Sequence, residues 1–202
     1  MIRFFRPGLI ASLMYPGAIF RIKTTEKLLY LTFDDGPDKC STSLLLEILD
    51  KYKIKAIFFC NGVKAAEFPD LVRNIRDKGH IIGNHGWNHE DGWKTPLKRY
   101  ISNIKRADGL TSPELFRPPY GHLGICQFRK LTQKYKIVFW DILPYDFDRK
   151  FQKEKSLEVL KRRIRPGSVI VLHDSAFSSS PVILEEFLQY ALGKGFRFDN
   201  KL

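Results

Sequence analysis

The chain has 202 residues, 44% hydrophobic, 13% aromatic and 28% charged. That balance suits a single folded domain with a full core and argues against disorder. Its 34 Lys and Arg against 22 acidic residues give a formal charge of +12, which favours anionic partners without choosing among nucleic acid, phospholipid and acidic glycan.

Three cysteines, Cys40, Cys60 and Cys126, with no C-x-x-C pair, argue against a disulfide framework and a thiolate zinc site, and point mildly to a reducing compartment. Residues 1–26 read as an N-terminal extension. Its apolar stretch Leu9–Tyr15 is short, sits between Pro7 and Pro16, and leads to no small-residue cleavage site, so it makes a poor signal peptide. Packing on the outside of the fold is its expected role, and its basic, aromatic character suits peripheral contact with a membrane. The expected location is cytoplasmic or on the inner membrane face.

From Leu28 the chain alternates strands and helices, and residues 27–202 read as one domain. Leu28–Phe33 is an apolar strand ending at Asp34-Asp35-Gly36-Pro37, and Thr42–Lys51 carries apolar residues at helical spacing. Ala56–Cys60 is a strand. Pro69–Lys78 is a helix with Pro at its start and Gly79 past its end. His80–Asn84 is the third strand and Leu97–Leu110 a helix. A strand and its exit follow at Leu115–Pro119, then a helix over Phe128–Tyr135. The chain continues with a strand over Ile137–Trp140, a helix over Glu154–Arg165, a strand over Ser168–His173, a helix over Pro181–Leu192 and a last strand over Gly195–Phe198.

Such alternation predicts a parallel sheet, which an open doubly wound fold and a closed barrel both satisfy. Asp34, His85, Arg117, Asp146 and His173 each follow a different apolar run at or beyond its C-terminal end. In a barrel those ends converge on one rim, where active sites are built. The expected fold is therefore α/β: a distorted, seven-stranded (β/α) barrel with helices outside.

Adjacent Asp34 and Asp35 leave a strand into a tight turn, so one can ligate a metal while the other acts as a base; the same residues also make good turn chemistry. His85 and His89, four apart in N-H-G-W-N-H, can point to one centre, and only five histidines occur in the chain. Two histidines and one carboxylate with open positions describe a catalytic metal site. Arg117 can pair with a carboxylate, and Pro118-Pro119-Tyr120-Gly121 is a rigid turn able to aim a backbone N–H. Asp146 and His173 each follow an apolar strand, and a carboxylate-oriented histidine is a good general acid.

In this order the motifs resemble the polysaccharide deacetylases with a NodB homology domain, carbohydrate esterase family 4. Thr32-Phe33-Asp34-Asp35-Gly36 matches one family motif, and Arg117-Pro118-Pro119-Tyr120 another. His85-Gly86-Trp87-Asn88-His89 matches a third, with Gly86 where Ser or Thr is usual. Leu143-Pro144-Tyr145-Asp146-Phe147 keeps only the second Asp of D-x-x-D-W, and Val171-Leu172-His173 completes the set.

The resemblance implies one divalent metal per chain, usually Zn2+, on Asp35, His85 and His89. It implies Asp34 as general base toward a metal-activated water, Arg117 as its partner, and the Tyr120 backbone N–H as oxyanion donor. His173, oriented by Asp146, would be the acid. Phe147, Val171 and Pro119 would contact substrate.

The implied activity is N-deacetylation of sugars in peptidoglycan, chitin oligosaccharide or a related glycan. An O-acetyl esterase acting on xylan or another polysaccharide is the alternative in the same class. A basic module without catalysis is a distant second: the chain carries no helix-turn-helix, RNA-binding or zinc-finger pattern, so no nucleic-acid partner is expected. Loss of a hydroxyl at Gly86 is expected to weaken support for the histidines.

Overall fold

The computed structural model describes residues 5–111 and 114–202; the first four residues of the expected extension lie outside that range. Strands β1 (Leu28–Asp34), β2 (Ile57–Cys60), β3 (Ile81–Asn84), β4 (Leu115–Phe116), β5 (Lys136–Ile137) and β6 (Ser168–His173) form an all-parallel sheet in the order β5-β4-β3-β2-β1-β6. A seventh strand, β7 (Arg197–Phe198), pairs in parallel with the start of β1. The helices α2 (Ser41–Lys51), α4 (Pro69–Asp77), α5 (Leu97–Ala107), α6 (Ile125–Leu131), α7 (Lys153–Arg163) and α8 (Ser180–Gly193) connect successive strands, and the short α3 (Gly62–Glu67) precedes α4.

The period of two along β1 sorts its side chains between two environments. Leu29, Leu31 and Phe33 pack outward with Leu45, Leu49, Phe187 and Leu188 of α2 and α8. Tyr30 joins Ile57, Phe59, Val138 and Val169 in a second cluster that fills the inside of the curl. Thr32 and Asp34 are in phase with Tyr30, so the strand delivers a hydroxyl and a carboxylate to the interior and rim. Pleat alone accounts for the direction of Asp34.

Local chemistry sets the helix starts. The Asp38 carboxylate accepts from the Cys40 and Ser41 amides at 2.9 and 3.1 Å, while its own amide donates to the Thr42 hydroxyl at 2.7 Å, opening α2 directly after the Asp-Asp-Gly-Pro turn. Asn61 caps α3 by accepting from Val63 at 3.0 Å. Helix α6 begins and ends several residues earlier than its apolar spacing suggests. The Gln127 side chain accepts from Gly124 N–H at 2.9 Å and so fixes the first turn there.

The sheet curls into a distorted barrel with a seam between β5 and β6. Isolated bridges cross it: Ile142 pairs with Ile170, and from the N-terminal segment Ile19 pairs with Val138 and Arg21 with Ser168. Residues 5–22 are thus woven into the seam rather than laid on the outside. Tyr15 is buried between Phe128 and Phe139, with ring centroids 5.2 and 5.1 Å away. Buried Asp141 pairs with Arg6 from the segment and with Arg165 before β6, and it accepts from the Ser168 hydroxyl at 2.7 Å. This segment carries one short helix, α1 (Leu9–Met14).

Candidate active site

A cleft of about 670 Å³ opens at the C-terminal ends of the strands. Its floor holds Asp34, Asp35, His85, His89 and His173, and α1 forms part of its wall through Ile10, Ala11 and Met14.

The Arg117 guanidinium is fully buried beneath this floor. Nη1 donates to Asp34 Oδ1 at 2.7 Å and to the Thr32 hydroxyl at 2.6 Å; Nη2 donates to the Phe139 carbonyl at 2.8 Å and Nε to that of Val138 at 3.2 Å. The guanidinium also lies over the Phe59 ring, 4.2 Å from its centroid. A buried charge is tolerable only with such complete satisfaction. The result is a rigid cation that fixes one oxygen of Asp34 and leaves Oδ2 facing His85 Nε2 at 4.0 Å.

Asp35, His85 and His89 each present one ligand atom, all within 4.8 Å of one another. Asp35 Oδ1 lies 3.0 Å from His89 Nε2 and 3.5 Å from His85 Nε2. The His85 Nδ1–H donates to the Arg117 carbonyl at 2.8 Å, which directs the Nε2 lone pair at the cluster. Burial works against ionisation of Asp35, but the neighbouring His85 and His89 side chains and the charge of His173 hold its carboxyl far below the usual range. One carboxylate and two imidazoles, one of them locked in the ligating tautomer, fit a divalent metal ion.

Across the cleft His173 Nδ1 lies 3.0 Å from Asp146 Oδ1, while its backbone N–H donates to Oδ2 at 2.7 Å. Ser178 donates to the same Oδ2 at 2.7 Å. Burial pushes the imidazolium toward neutrality, but the Asp146 charge and hydrogen bond, aided by Asp35 and Asp34, outweigh it and raise the His173 pKa to about 9. The Phe147 ring sits 4.5 Å from that of His173, and buried Val171 lines the same wall.

Tyr120 closes the other side, its ring 4.5 Å from that of His89. Asp35, His89 and Tyr120 all have positive φ (73°, 55° and 60°), a conformation that costs a non-glycine residue energy. Strain therefore gathers at the candidate site, a pattern typical of functional loops. Pro119 is buried at the start of the 3₁₀ turn Pro119–Gly121, and Pro118 lines the cleft in its place.

Gly86 has φ +77°, and a Cβ there would stand 3.1 Å from Asn103 Oδ1. That oxygen already accepts from the Trp87 amide at 2.8 Å, and Asn84 Oδ1 accepts from Gly86 N–H at 2.7 Å. Two asparagines and the Arg117 carbonyl thus brace the histidine loop without a hydroxyl at position 86. Sequence reading also passed over Asp174. Its buried carboxyl accepts from Ser41 and Thr42, and burial raises its pKa to about 6 against those bonds. The Asp174 amide donates to the Asp34 carbonyl at 2.7 Å, joining β6 to β1 beside the rim.

Comparisons with known proteins agree with this geometry. The family model described as polysaccharide deacetylase matches residues 21–137. A peptidoglycan-N-acetylglucosamine deacetylase of Bacillus cereus is 33% identical over 182 residues, covering 83% of this chain; the chain spans 64% of that relative's length. A chitooligosaccharide deacetylase of Sinorhizobium fredii is 31% identical, covering 81% of this chain and 79% of the relative. The crystal structure of a peptidoglycan N-acetylglucosamine deacetylase superposes with a TM-score of 0.87 at 28% identity, covering 95% of this chain and 94% of the other. With the family pattern matched over more than half its length, the chain belongs to the polysaccharide deacetylase family.

Proposed function

We propose that this protein is a metal-dependent hydrolase that removes acetyl groups from N-acetylated sugars in peptidoglycan, chitin oligosaccharide or a related glycan, with zinc as its metal. One arrangement carries the reading: an Arg117-clamped Asp34 and an Asp35–His85–His89 cluster face an Asp146-oriented His173 across a single cleft. The relatives named for deacetylation of peptidoglycan and chitooligosaccharide support the choice of substrate.

Asp35, His85 and His89 would hold a divalent ion, which would supply Lewis acidity against developing negative charge, an effect worth several kcal/mol. Asp34, its Oδ1 fixed by Arg117, takes the proton of the attacking water. The backbone N–H of Tyr120 donates to the oxyanion formed from the acetamide oxygen. His173 then gives its Nε2 proton to the departing amine as the carbon–nitrogen bond breaks, while Asp146 holds Nδ1 and stabilises the charged imidazole. Phe147 and Val171 wall the space for the acetyl methyl.

The test is acetate release from N-acetylglucosamine oligomers by chelated protein before and after zinc is restored, with Asp34→Asn as control. Zinc-dependent release that disappears in the variant supports the reading; release only from O-acetylated xylan would sink it in favour of an esterase.

For the N-terminal segment we infer peripheral contact with an anionic membrane, since Ile10 and Leu13 of α1 are 72% and 79% exposed on a chain of net charge +12. Co-sedimentation with phosphatidylglycerol vesicles that survives Leu13→Asp would refute it.

A further inference from the structure

Trp93 stands at the cleft mouth, 65% exposed, on the loop between β3 and α5. An exposed indole ordinarily keeps its rotamer freedom, but this one is held at several points. Its ring stacks on His122 with centroids 3.7 Å apart and planes 8° from parallel. Its Nε1–H donates to the Leu123 carbonyl at 3.3 Å, and its backbone N–H donates to Asp91 Oδ1 at 2.9 Å. That same Oδ1 lies 3.0 Å from His122 Nδ1, so one carboxylate fixes both members of the stack. Gln127 of α6 secures the loop on either side by donating to the Gly92 and Thr95 carbonyls at 2.8 and 2.9 Å.

The stack is continuous with the candidate site. From His122 the next ring is Tyr120, at 5.8 Å, and from Tyr120 the next is His89, at 4.5 Å. An aromatic face held rigid in water contributes little to folding. It is instead pre-organised for a ligand, because the cost of ordering the side chain is already met within the protein. A pyranose ring is the ligand that suits it: its C–H face packs on an aromatic surface while its hydroxyls stay hydrated at the edge.

We propose that Trp93, backed by His122 and Asp91, is a stacking platform for a sugar unit adjoining the one whose acetyl group is removed, which makes the protein selective for oligosaccharides over single sugars. The proposal rests on the deacetylase reading, and the experiment separates the two.

In an Asp34→Asn background loaded with zinc, tryptophan fluorescence is followed while N-acetylglucosamine or its tetramer is added. The tetramer should bind roughly tenfold more tightly than the monomer, a stacking contribution of about 1.4 kcal/mol. Trp93→Ala should erase that difference, Trp93→Phe should keep most of it, and His122→Ala should reduce it. In the active protein, Trp93→Ala should raise KM for the tetramer about tenfold, well beyond any fall in kcat, with an unchanged melting temperature.

Equal affinity for tetramer and monomer, or an equal loss for both in Trp93→Ala, would overturn the platform. So would quenching by a single-stranded oligonucleotide but not by the tetramer. Trp93-dependent tetramer binding without acetate release from any N-acetylated sugar would overturn the deacetylase reading and leave the platform standing.

Discussion

Arg117 holds His85 with its backbone and Asp34 with its guanidinium: the His85 Nδ1–H donates to the Arg117 carbonyl at 2.8 Å, and Arg117 Nη1 reaches Asp34 Oδ1 at 2.7 Å. One residue on the exit of β4 therefore sets the spacing between a candidate metal ligand and a candidate base. The candidate ligand and the candidate base stay in register because they share a mount.

Arg117→Met should be among the most damaging single changes in the chain. It leaves the 5% exposed Asp34 without its counter-charge, a defect worth about 3–5 kcal/mol. Denaturant melts should show that loss, together with a fall in acetate release of at least about a hundredfold. Adding Asp34→Asn should restore part of the stability and none of the activity. Full stability in the single variant would contradict the clamp.

Metal binding should stabilise the fold, because the three candidate ligands come from the ends of β1 and β3 and the loop after β3. At a hundredfold excess over Kd the gain is about 2.7 kcal/mol, or roughly 5–10 °C in melting temperature for a chain of this size. Asp35→Asn and His89→Ala should each abolish most of the shift on titrating zinc into chelated protein. An unchanged shift in both would move the metal elsewhere.

The pH profile of kcat should carry an alkaline limb from His173. In the proposed role of general acid it must be protonated, so the rate should fall as pH rises through its raised pKa of about 9. Asp146→Asn removes the charge that does most of the raising, and the limb should move to lower pH by at least about one unit, besides a loss in kcat. A limb that stays in place would assign it to another group.

His80 should make stability acid-sensitive, far from the cleft. Its ring is buried with Nδ1 accepting from the Ala56 amide at 3.0 Å, and burial, joined by the charges of Lys55 and Lys78 against that of Asp50, lowers its pKa to about 4. The folded-state pKa lies below the unfolded one, so the contribution is complete above pH 6.5 and is lost as pH falls toward 4. The loss is about 3 kcal/mol. Urea midpoints at pH 7.5 and 4.5 should drop less in His80→Gln than in the parent protein, starting from a lower value at pH 7.5.

Much of this was legible in the sequence because polar residues interrupt apolar runs at strand ends. Asp34 after Leu28–Phe33 and His173 after Ser168–Leu172 fall where a parallel barrel must expose them, and both occupy the rim. Less legible was anything decided between distant segments. The start of α6 depends on a Gln127 side chain that also grips Gly92 and Thr95, which no helical period encodes. The pairing of Trp93 with His122 joins two loops through a ring stack and through hydrogen bonds at Asp91 and Leu123, none of which the spacing of the residues encodes. Gly86 looked like a lost support, yet its left-handed backbone and the asparagines around it give the loop a different brace.

The strap across the seam changes what counts as the inheritable unit. The family pattern begins at residue 21, yet one wall of the cleft is built from residues before it. A chain trimmed to that pattern would bare Phe128 and Phe139 where Tyr15 now lies, trading a closed edge for a sticky one. Graft experiments between relatives should therefore carry the strap with the barrel. Exchanging the strap alone would remake one wall of the cleft while the side chains on its floor keep their mounts.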